Sequence, residues 1–322
     1  MKQYDAIIIG FGKGGKTLAA ELAKRNEKVA VIERSDEMYG GTCINIGCIP
    51  TKTLVHQAKL APVKASWEEK KAYYAQAIAE KEEVTSFLRQ KNYHNLADNP
   101  HITVYTGIGS FVSTDVVEVV MHDEILQLQA PRIYINTGAE TIIPPIDGVK
   151  VNERGAIIVD GHLRTTNPNI RAIGDVKGGL QFTYISLDDY RIIREDLFGN
   201  GGRNLNDREP VSYSVFIDPP LSRIGLSEEE AVRKGLNIKV NKLPVAAIPR
   251  ARTLGNTVGL FKVVVDVDTD QIVGCTLFGP ESGEVINSVA MAMKTDQPYT
   301  FLRDFVFTHP SMSEALNDLM NF

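Results

Sequence analysis

The stretch YDAIIIGFGKGGKTLAAELAKRNEKVAVIER, residues 4–34, limits what this chain can fold into more than any other. Its first six residues form an apolar run broken only by Asp5, as expected of a strand buried on both faces. Gly10, Gly12 and Gly15 then fit G-x-G-x-x-G, and KTLAAELAKR carries helical spacing. Each glycine meets a separate need: Gly10 allows the tight turn, Gly12 lets backbone approach a pyrophosphate, and Gly15 permits close packing of helix on strand. The N–H groups at the helix start, around Lys13 and Gly14, are then free to hold an anion. Glu33 ends the next strand, 18 residues after Gly15, where a carboxylate can accept both hydroxyls of a ribose. The stretch therefore predicts an α/β, Rossmann-type domain with a dinucleotide site. It does not choose between FAD and NAD.

At 322 residues the chain suits two packed units, or one unit split by another. A formal net charge of -5 gives no electrostatic case for nucleic acid or an anionic membrane as partner. No apolar run approaches the roughly 20 residues that span a bilayer. The N-terminal run is broken by glycines and reads as a strand rather than a signal peptide. Three cysteines cannot build a disulfide scaffold, so a reducing, cytoplasmic compartment is expected.

Two of those cysteines stand in GGTCINIGCIPTK, residues 40–52, with four residues between them. A zinc site would need a second ligand pair at matching spacing, and the sequence offers none, so no metal site is assigned. Two inert buried thiols remain an alternative. The segment is glycine-rich, however, and IPTKTLVHQAKL begins a helix, whose N-terminus lowers a thiol pKa. A dithiol beside a dinucleotide is a device for two-electron transfer.

With these motifs in place, the sequence resembles the flavin-dependent pyridine nucleotide–disulfide oxidoreductases, the family of glutathione reductase, lipoamide dehydrogenase and mercuric reductase. The resemblance covers nearly the whole chain. It implies a glutathione-reductase-like FAD domain of three layers with a β-meander, followed by an α+β dimerisation domain. It implies FAD on Gly10, Gly12, Lys13, Gly14, Gly15, Glu33 and Arg34, with Gly41 and Thr42 of the GGTC segment beside it. Cys43 is then the interchange thiol that meets the oxidant, Cys48 the thiol against the flavin, and Lys52 a neighbour of the flavin N5. YTGIGSF would place Gly109 by the adenine half, and IYINTGAE would add Thr137 and Gly138. NIRAIGD would bring Gly174 and Asp175 to the ribityl chain, and GGLQFTYIS would lay Gln181, Phe182 and Thr183 along the flavin.

From about Val211 the pattern changes to short alternating strands and helices, resembling the family's interface domain, which implies a homodimer. Cys275, in the apolar strand QIVGCTLFG, reads as a core residue. In FTHPSMSEALNDL, Pro310 holds His309 extended, and Ser311 with Glu314 fits a capping box. The resemblance gives the same residues a second reading: His309 as acid/base for the partner subunit's thiols, with Glu314 orienting its ring. The other five histidines fall in no cluster.

Family members carry a second nucleotide unit for NAD(P)H, and no second G-x-G-x-x-G occurs here. Only 26 residues separate Gly148 from Asp175, where a nucleotide-binding half needs on the order of 100. The expected organisation is a first FAD part at 1–148, opening into the bend IPPIDG, a second FAD part at 149–208, and an interface domain at 209–322, with the NAD(P)H domain missing near 148–151. Whether by engineering or by natural loss, such a chain is expected to lack NAD(P)H-dependent turnover. Two alternatives stand beside it: a reductase fed by an external dithiol or partner protein, and a non-catalytic FAD-binding dimeric scaffold. LQFTYISLDD and THPSMSEALNDL look most like the bacterial reactive-chlorine-resistance flavoproteins, regarded as copper(II) reductases. The C-terminus lacks the cysteine pair of mercuric reductase, so the oxidant is expected to be a small molecule, a disulfide or a metal ion.

Overall fold

The computed structural model describes residues 1–62, 64–138 and 148–322, so most of the IPPIDG bend lies outside the described residues. Two units are distinct, Met1–Asp207 and Arg208–Phe322.

In the first unit a short strand β1 (Lys2–Gln3) precedes β2 (Ala6–Ile9), all four of whose residues are buried. Helix α1 (Lys13–Ala23) follows the glycines, and β3 (Val29–Glu33), buried throughout, lies parallel to β2. Next come a one-turn helix α2 (Thr42–Asn45), α3 (Cys48–Leu60) and the long α4 (Trp67–Ala97). A capping box opens α4, with Ser66 and Glu69 each accepting the other's backbone N–H. Strand β4 (Ile102–Thr106) pairs with β3, and β5 (Ile108–Phe111), β6 (Val116–Val120) and β7 (Ile125–Gln129) form an antiparallel meander that β1 extends. With β8 (Ile133–Ile135) and β9 (Ile170–Ala172) the parallel sheet is complete in the order β4-β3-β2-β8-β9, and α5 (Thr183–Phe198) follows.

Period-two alternation sorts this sheet's side chains into two cores. Ala6, Ile8, Val29 and Val31 pack with Leu18 and Leu22 of α1 and Ile192 and Ile193 of α5. Ile7, Ile9, Ala30 and Ile32 pack with Val117, Val119 and Leu128 of the meander. Helices, parallel sheet and meander thus make the three layers expected from the sequence. From β2 the chain steps outward to β3 and β4, then returns to β8 on β2's other side. The crevice outside the carboxyl ends of β2 and β8 is therefore the topological switch point, where open α/β sheets bind ligands.

The second unit holds β10 (Tyr213–Val215), β11 (Leu221–Gly225), α6 (Glu228–Arg233), β12 (Ile238–Pro244), α7 (Pro249–Thr253), β13 (Leu260–Asp266) and β14 (Ile272–Phe278). Helices α8 (Ser282–Lys294), α9 (Tyr299–Asp304) and α10 (Ala315–Leu319) end the chain. Its sheet is antiparallel in the order β10-β11-β14-β13-β12. Phe261, Val263 and Leu277 of the sheet pack with Val285, Val289, Leu302 and Leu316 of the helices, the α+β arrangement. Cys275, buried in β14, belongs to that core. Among the described residues no helix is long and apolar enough to cross a membrane.

Candidate dinucleotide and dithiol site

At the carboxyl end of β2 the turn is so tight that a Cβ on Gly10, whose φ is +100°, would lie 2.2 Å from the Asn136 carbonyl oxygen. Helix α1 starts with no side-chain cap and no acid in its first turn. Two of its early N–H groups are used inside the protein, Gly14 donating to Ser186 Oγ at 3.0 Å and Gly15 to Asn136 Oδ1 at 2.9 Å. Among the described residues nothing accepts from the N–H groups of Gly12 or Lys13. Those donors, the positive end of the helix dipole and Lys13 together suit a pyrophosphate.

The remaining dinucleotide candidates are set around the same end of the parallel sheet. Glu33 closes β3, buried, and accepts the Phe11 N–H at 3.0 Å. Burial raises its pKa against the pull of the Phe11, Arg34 and Ser35 backbone N–H groups. Arg34 itself is exposed. Gly109, on β5, packs against Ile32, and Gly138 follows β8 after the exposed Thr137, with the Thr42 hydroxyl 3.7 Å from where its Cβ would stand. Gly174 follows β9 and donates its N–H to Asp189 Oδ2 at 2.7 Å, and burial pushes the Asp175 carboxyl up against the pull of Lys177. Gln181 is exposed at the entry to α5, where the Phe182 and Tyr184 rings stack at 5.1 Å. Gly41, with φ +81°, begins α2, and a Cβ there would lie 2.9 Å from Gly12 Cα. The start of α2 is therefore pressed on the start of α1. This donor set and the close backbone approaches fit an FAD: an open helix N-terminus for phosphates, carboxylates at both ends for hydroxyls, and an exposed platform at α5.

Beside it lie the two thiols. Cys43 is the second residue of α2 and Cys48 the first of α3, both half-buried. Cys48 Sγ is 3.6 Å from Thr183 Oγ1, and both Cys48 and Thr183 bear on the ionisation of Cys43. Lys52 stands one turn after Cys48 on the same face of α3. Burial pushes the Cys43 thiol up, Thr183 pulls it down, Cys48 pushes it up again, and the charge of Lys16 pulls it down. Cys43 sits on a one-turn helix and Cys48 opens the thirteen-residue α3.

In the second unit His309 Nδ1 is 2.8 Å from Glu314 Oε2, the imidazole exposed and the carboxylate half-buried. The anticipated capping box is only half made. The Glu314 N–H donates to Ser311 Oγ at 3.2 Å, but its carboxylate turns to the imidazole, and α10 starts after it.

Sequence reasoning missed Asn136, Ser186 and Lys16. Asn136 is buried, accepts from Gly15, donates its amide to the Ile173 carbonyl at 3.0 Å, and gives its backbone N–H to Ile9. It ties the glycine turn to β8 and β9. An asparagine after a strand reads as a turn former, and only the β2–β8 pairing gives it this task. Among the described residues no three His, Cys, Asp or Glu side chains are grouped to hold a metal.

Residues 4–151 match the family described as "Pyridine nucleotide-disulphide oxidoreductase", and residues 211–320 match its dimerisation domain. The Escherichia coli protein named "Probable pyridine nucleotide-disulfide oxidoreductase RclA" is 39% identical, the alignment covering 100% of this chain and 99% of the relative. That alignment runs over 448 residues and this chain has 322, so 126 of its positions face no residue here. A mercuric reductase of Bacillus cereus is 24% identical over 97% of this chain and 70% of its own length. Among solved structures, the Cu(II) complex of the HOCl-induced flavoprotein disulfide reductase RclA from Escherichia coli superposes with a TM-score of 0.92 at 39% identity, covering 99% of each chain.

Proposed function

The chain belongs to the pyridine nucleotide–disulphide oxidoreductase family, and we propose that it is an FAD-binding disulfide oxidoreductase core whose NAD(P)H domain is missing. The observation that carries this reading is the convergence of Cys43, Cys48 and the Thr183 hydroxyl beside the open start of α1. The residues that would hold FAD are the Gly10–Gly15 turn with Lys13, Glu33 and Arg34 at the adenosine end, Gly41, Thr42, Gly109, Thr137 and Gly138 along it, and Gly174, Asp175, Gln181, Phe182 and Thr183 toward the flavin, with Lys52. Bound there, FAD supplies a two-electron carrier next to Cys48.

The protein's own steps are thiol chemistry. With the pair reduced, the Cys43 thiolate attacks one sulfur of a disulfide acceptor, and the leaving thiolate takes a proton from His309, whose ring Glu314 orients. The Cys48 thiolate then attacks Cys43 Sγ, expelling the second sulfur of the acceptor as a thiolate that water protonates, and closing the Cys43–Cys48 disulfide. Two electrons have passed to the acceptor. In this reading the second unit pairs two copies of the chain, so that His309 serves the partner's thiols. The presence of the dimerisation domain supports that pairing. A metal ion is a second acceptor class, supported by relatives named mercuric reductase and by the Cu(II) complex of RclA. The three-cysteine composition supports a reducing, cytoplasmic compartment.

The short connection supports the missing domain: 26 residues between Gly148 and Asp175, and 126 alignment positions without a counterpart. The proposed parts are 1–148 and 149–208 for FAD and 209–322 for pairing. Reduction would then come from an external dithiol or partner protein. The test is the visible spectrum of the FAD-loaded protein before and after dithiothreitol, then NADPH or NADH. A long-wavelength band that forms with dithiothreitol, is lost in Cys48→Ser and does not form with either nucleotide is the expected result. Prompt bleaching by a nucleotide would refute the missing-domain reading. A spectrum indifferent to dithiothreitol would leave a non-catalytic FAD-binding scaffold.

A further inference from the structure

Lys16 lies one position beyond the glycine turn, where the fold asks for no charge. Its ammonium is held from two sides, donating to the Gly40 carbonyl at 3.5 Å and to Asn92 Oδ1 on α4. Asn92 is fixed in turn, its amide donating to the Leu88 carbonyl at 2.7 Å. A half-buried cation is thereby placed against the Gly40–Gly41 turn, three residues before Cys43. Asn45, two residues after Cys43, is tied to the same turn, donating to the Tyr39 and Gly41 carbonyls at 3.0 and 3.1 Å. Arg89 of α4 closes the frame by donating to Asn45 Oδ1 at 2.9 Å. Helices α1 and α4 thus hold both flanks of the thiol-bearing turn, and Lys16 is the cation on the α1 side.

A lysine in this place is costly to keep charged. Burial lowers its pKa to about 8, Lys13 adds to the lowering, and a Cys43 thiolate opposes it. Among the described residues, the groups that bear on the ionisation of Cys43 are Lys16 from α1, Cys48 from α3 and Thr183 from α5. Of these only Lys16 carries positive charge. An aliphatic side chain would fill the same space without the desolvation, and it would leave the thiolate without that charge.

We propose that Lys16 is a positioning residue for the interchange thiol: its ammonium, anchored by Gly40 and Asn92, stabilises the Cys43 thiolate. The inference rests on the dithiol reading of Cys43. A nearby opposite charge moves a thiol toward the ionised form and raises its nucleophilic fraction at neutral pH.

The experiment is site-resolved alkylation. FAD-loaded protein reduced with dithiothreitol is freed of reductant and treated with iodoacetamide from pH 6 to 9.5, and the Cys43 peptide is followed by mass spectrometry. Wild type is compared with Lys16→Met, Lys16→Gln and Lys16→Arg. Gln keeps a donor for Gly40 and Asn92 without the charge, and Arg keeps the charge. The expected result is a Cys43 profile displaced to higher pH in both neutral variants, with alkylation at pH 7 slower by about three- to tenfold, and a profile near wild type in Lys16→Arg. A Lys16→Gln profile that coincides with wild type would overturn the proposal and make the contact purely structural. Loss of FAD in Lys16→Gln with an unmoved Cys43 profile would overturn it too, assigning Lys16 to the cofactor. Failure of the dithiol reading looks different: Cys43 would alkylate in wild type while the flavin spectrum ignored the thiols.

Discussion

Replacing Asn136 by alanine tests how the glycine turn is held. The wild-type amide meets two buried backbone groups, the Gly15 N–H at 2.9 Å and the Ile173 carbonyl at 3.0 Å. Truncation leaves a donor and an acceptor without partners in the interior, each costing about 1–3 kcal/mol. The two together give roughly 2–5 kcal/mol, the lower end applying if a water enters the space and bridges both groups. For a protein of this size 1 kcal/mol moves the midpoint by about 2–4 °C, so Tm should fall by roughly 5–15 °C. Thermal unfolding followed by circular dichroism measures this, and a titration with FAD measures the consequence for the site. Asn136→Asp is the informative companion. It keeps an acceptor for Gly15 but turns an oxygen toward the Ile173 carbonyl, so it should destabilise at least as much. An Asn136→Ala protein that loses less than about 1 kcal/mol and binds FAD as tightly as wild type would refute the reasoning, because the turn would then be fixed without its clamp.

Two further outcomes follow from single residues. Burial raises the Cys275 thiol above its ordinary value of 9.0, so its contribution to stability is complete below pH 9 and is lost as pH rises, the unfolded chain ionising first. At pH 10 the difference should be about 1.4 kcal/mol, seen in urea denaturation as a slope that Cys275→Ala lacks; parallel curves for the two proteins would contradict it. His309→Gln should slow exchange between the reduced thiols and an aliphatic disulfide, whose leaving thiolate needs a proton, by about 10²-fold or more at neutral pH. Glu314→Gln should slow it less, and neither change should alter the flavin spectrum; equal rates in all three proteins would remove the acid/base role.

What could be seen in the sequence was local or periodic. The AIII run, the spaced glycines and Glu33 lie within one β-α-β unit, and each is dictated by its neighbours in the chain. The two faces of the parallel sheet also follow from alternation alone, as Ile7 and Ile8 divide between two cores. What escaped depends on contacts distant in sequence. Asn136 acts on a glycine 121 residues away, and Lys16 is held by an asparagine 76 residues away. Neither position is unusual for its residue type, so no pattern singles it out. Where one group has competing partners, the sequence leaves more than one reading open. Glu314 could cap Ser311 or hold His309, and it takes the imidazole. At Cys43 burial raises the thiol pKa against the pull of Thr183 and Lys16, a balance of contacts distant in sequence.

The connection between β8 and β9 shows why a domain could be missing without harm to the rest. These strands are parallel neighbours, with Ile133 opposite Ile170 and Ile135 opposite Ala172. A domain carried between them contributes no hydrogen bond to the sheet, so its absence unpairs neither strand. The later part of the connection is different. Val151 bridges to Ile157, and Ile157 and Leu163 are buried in the two cores of the first unit. On the proposed reading, a boundary before Val151 would leave these contacts intact. Grafting the NAD(P)H domain of a relative between Gly148 and Val151 should then give a protein whose flavin NADPH or NADH reduces. Its affinity for FAD should change little, because the turn at Gly10, the clamp at Asn136 and the Gly174–Asp175 corner lie outside the graft. If the graft folds and binds FAD but neither nucleotide reduces it, the proposal that a missing domain alone bars hydride entry is refuted.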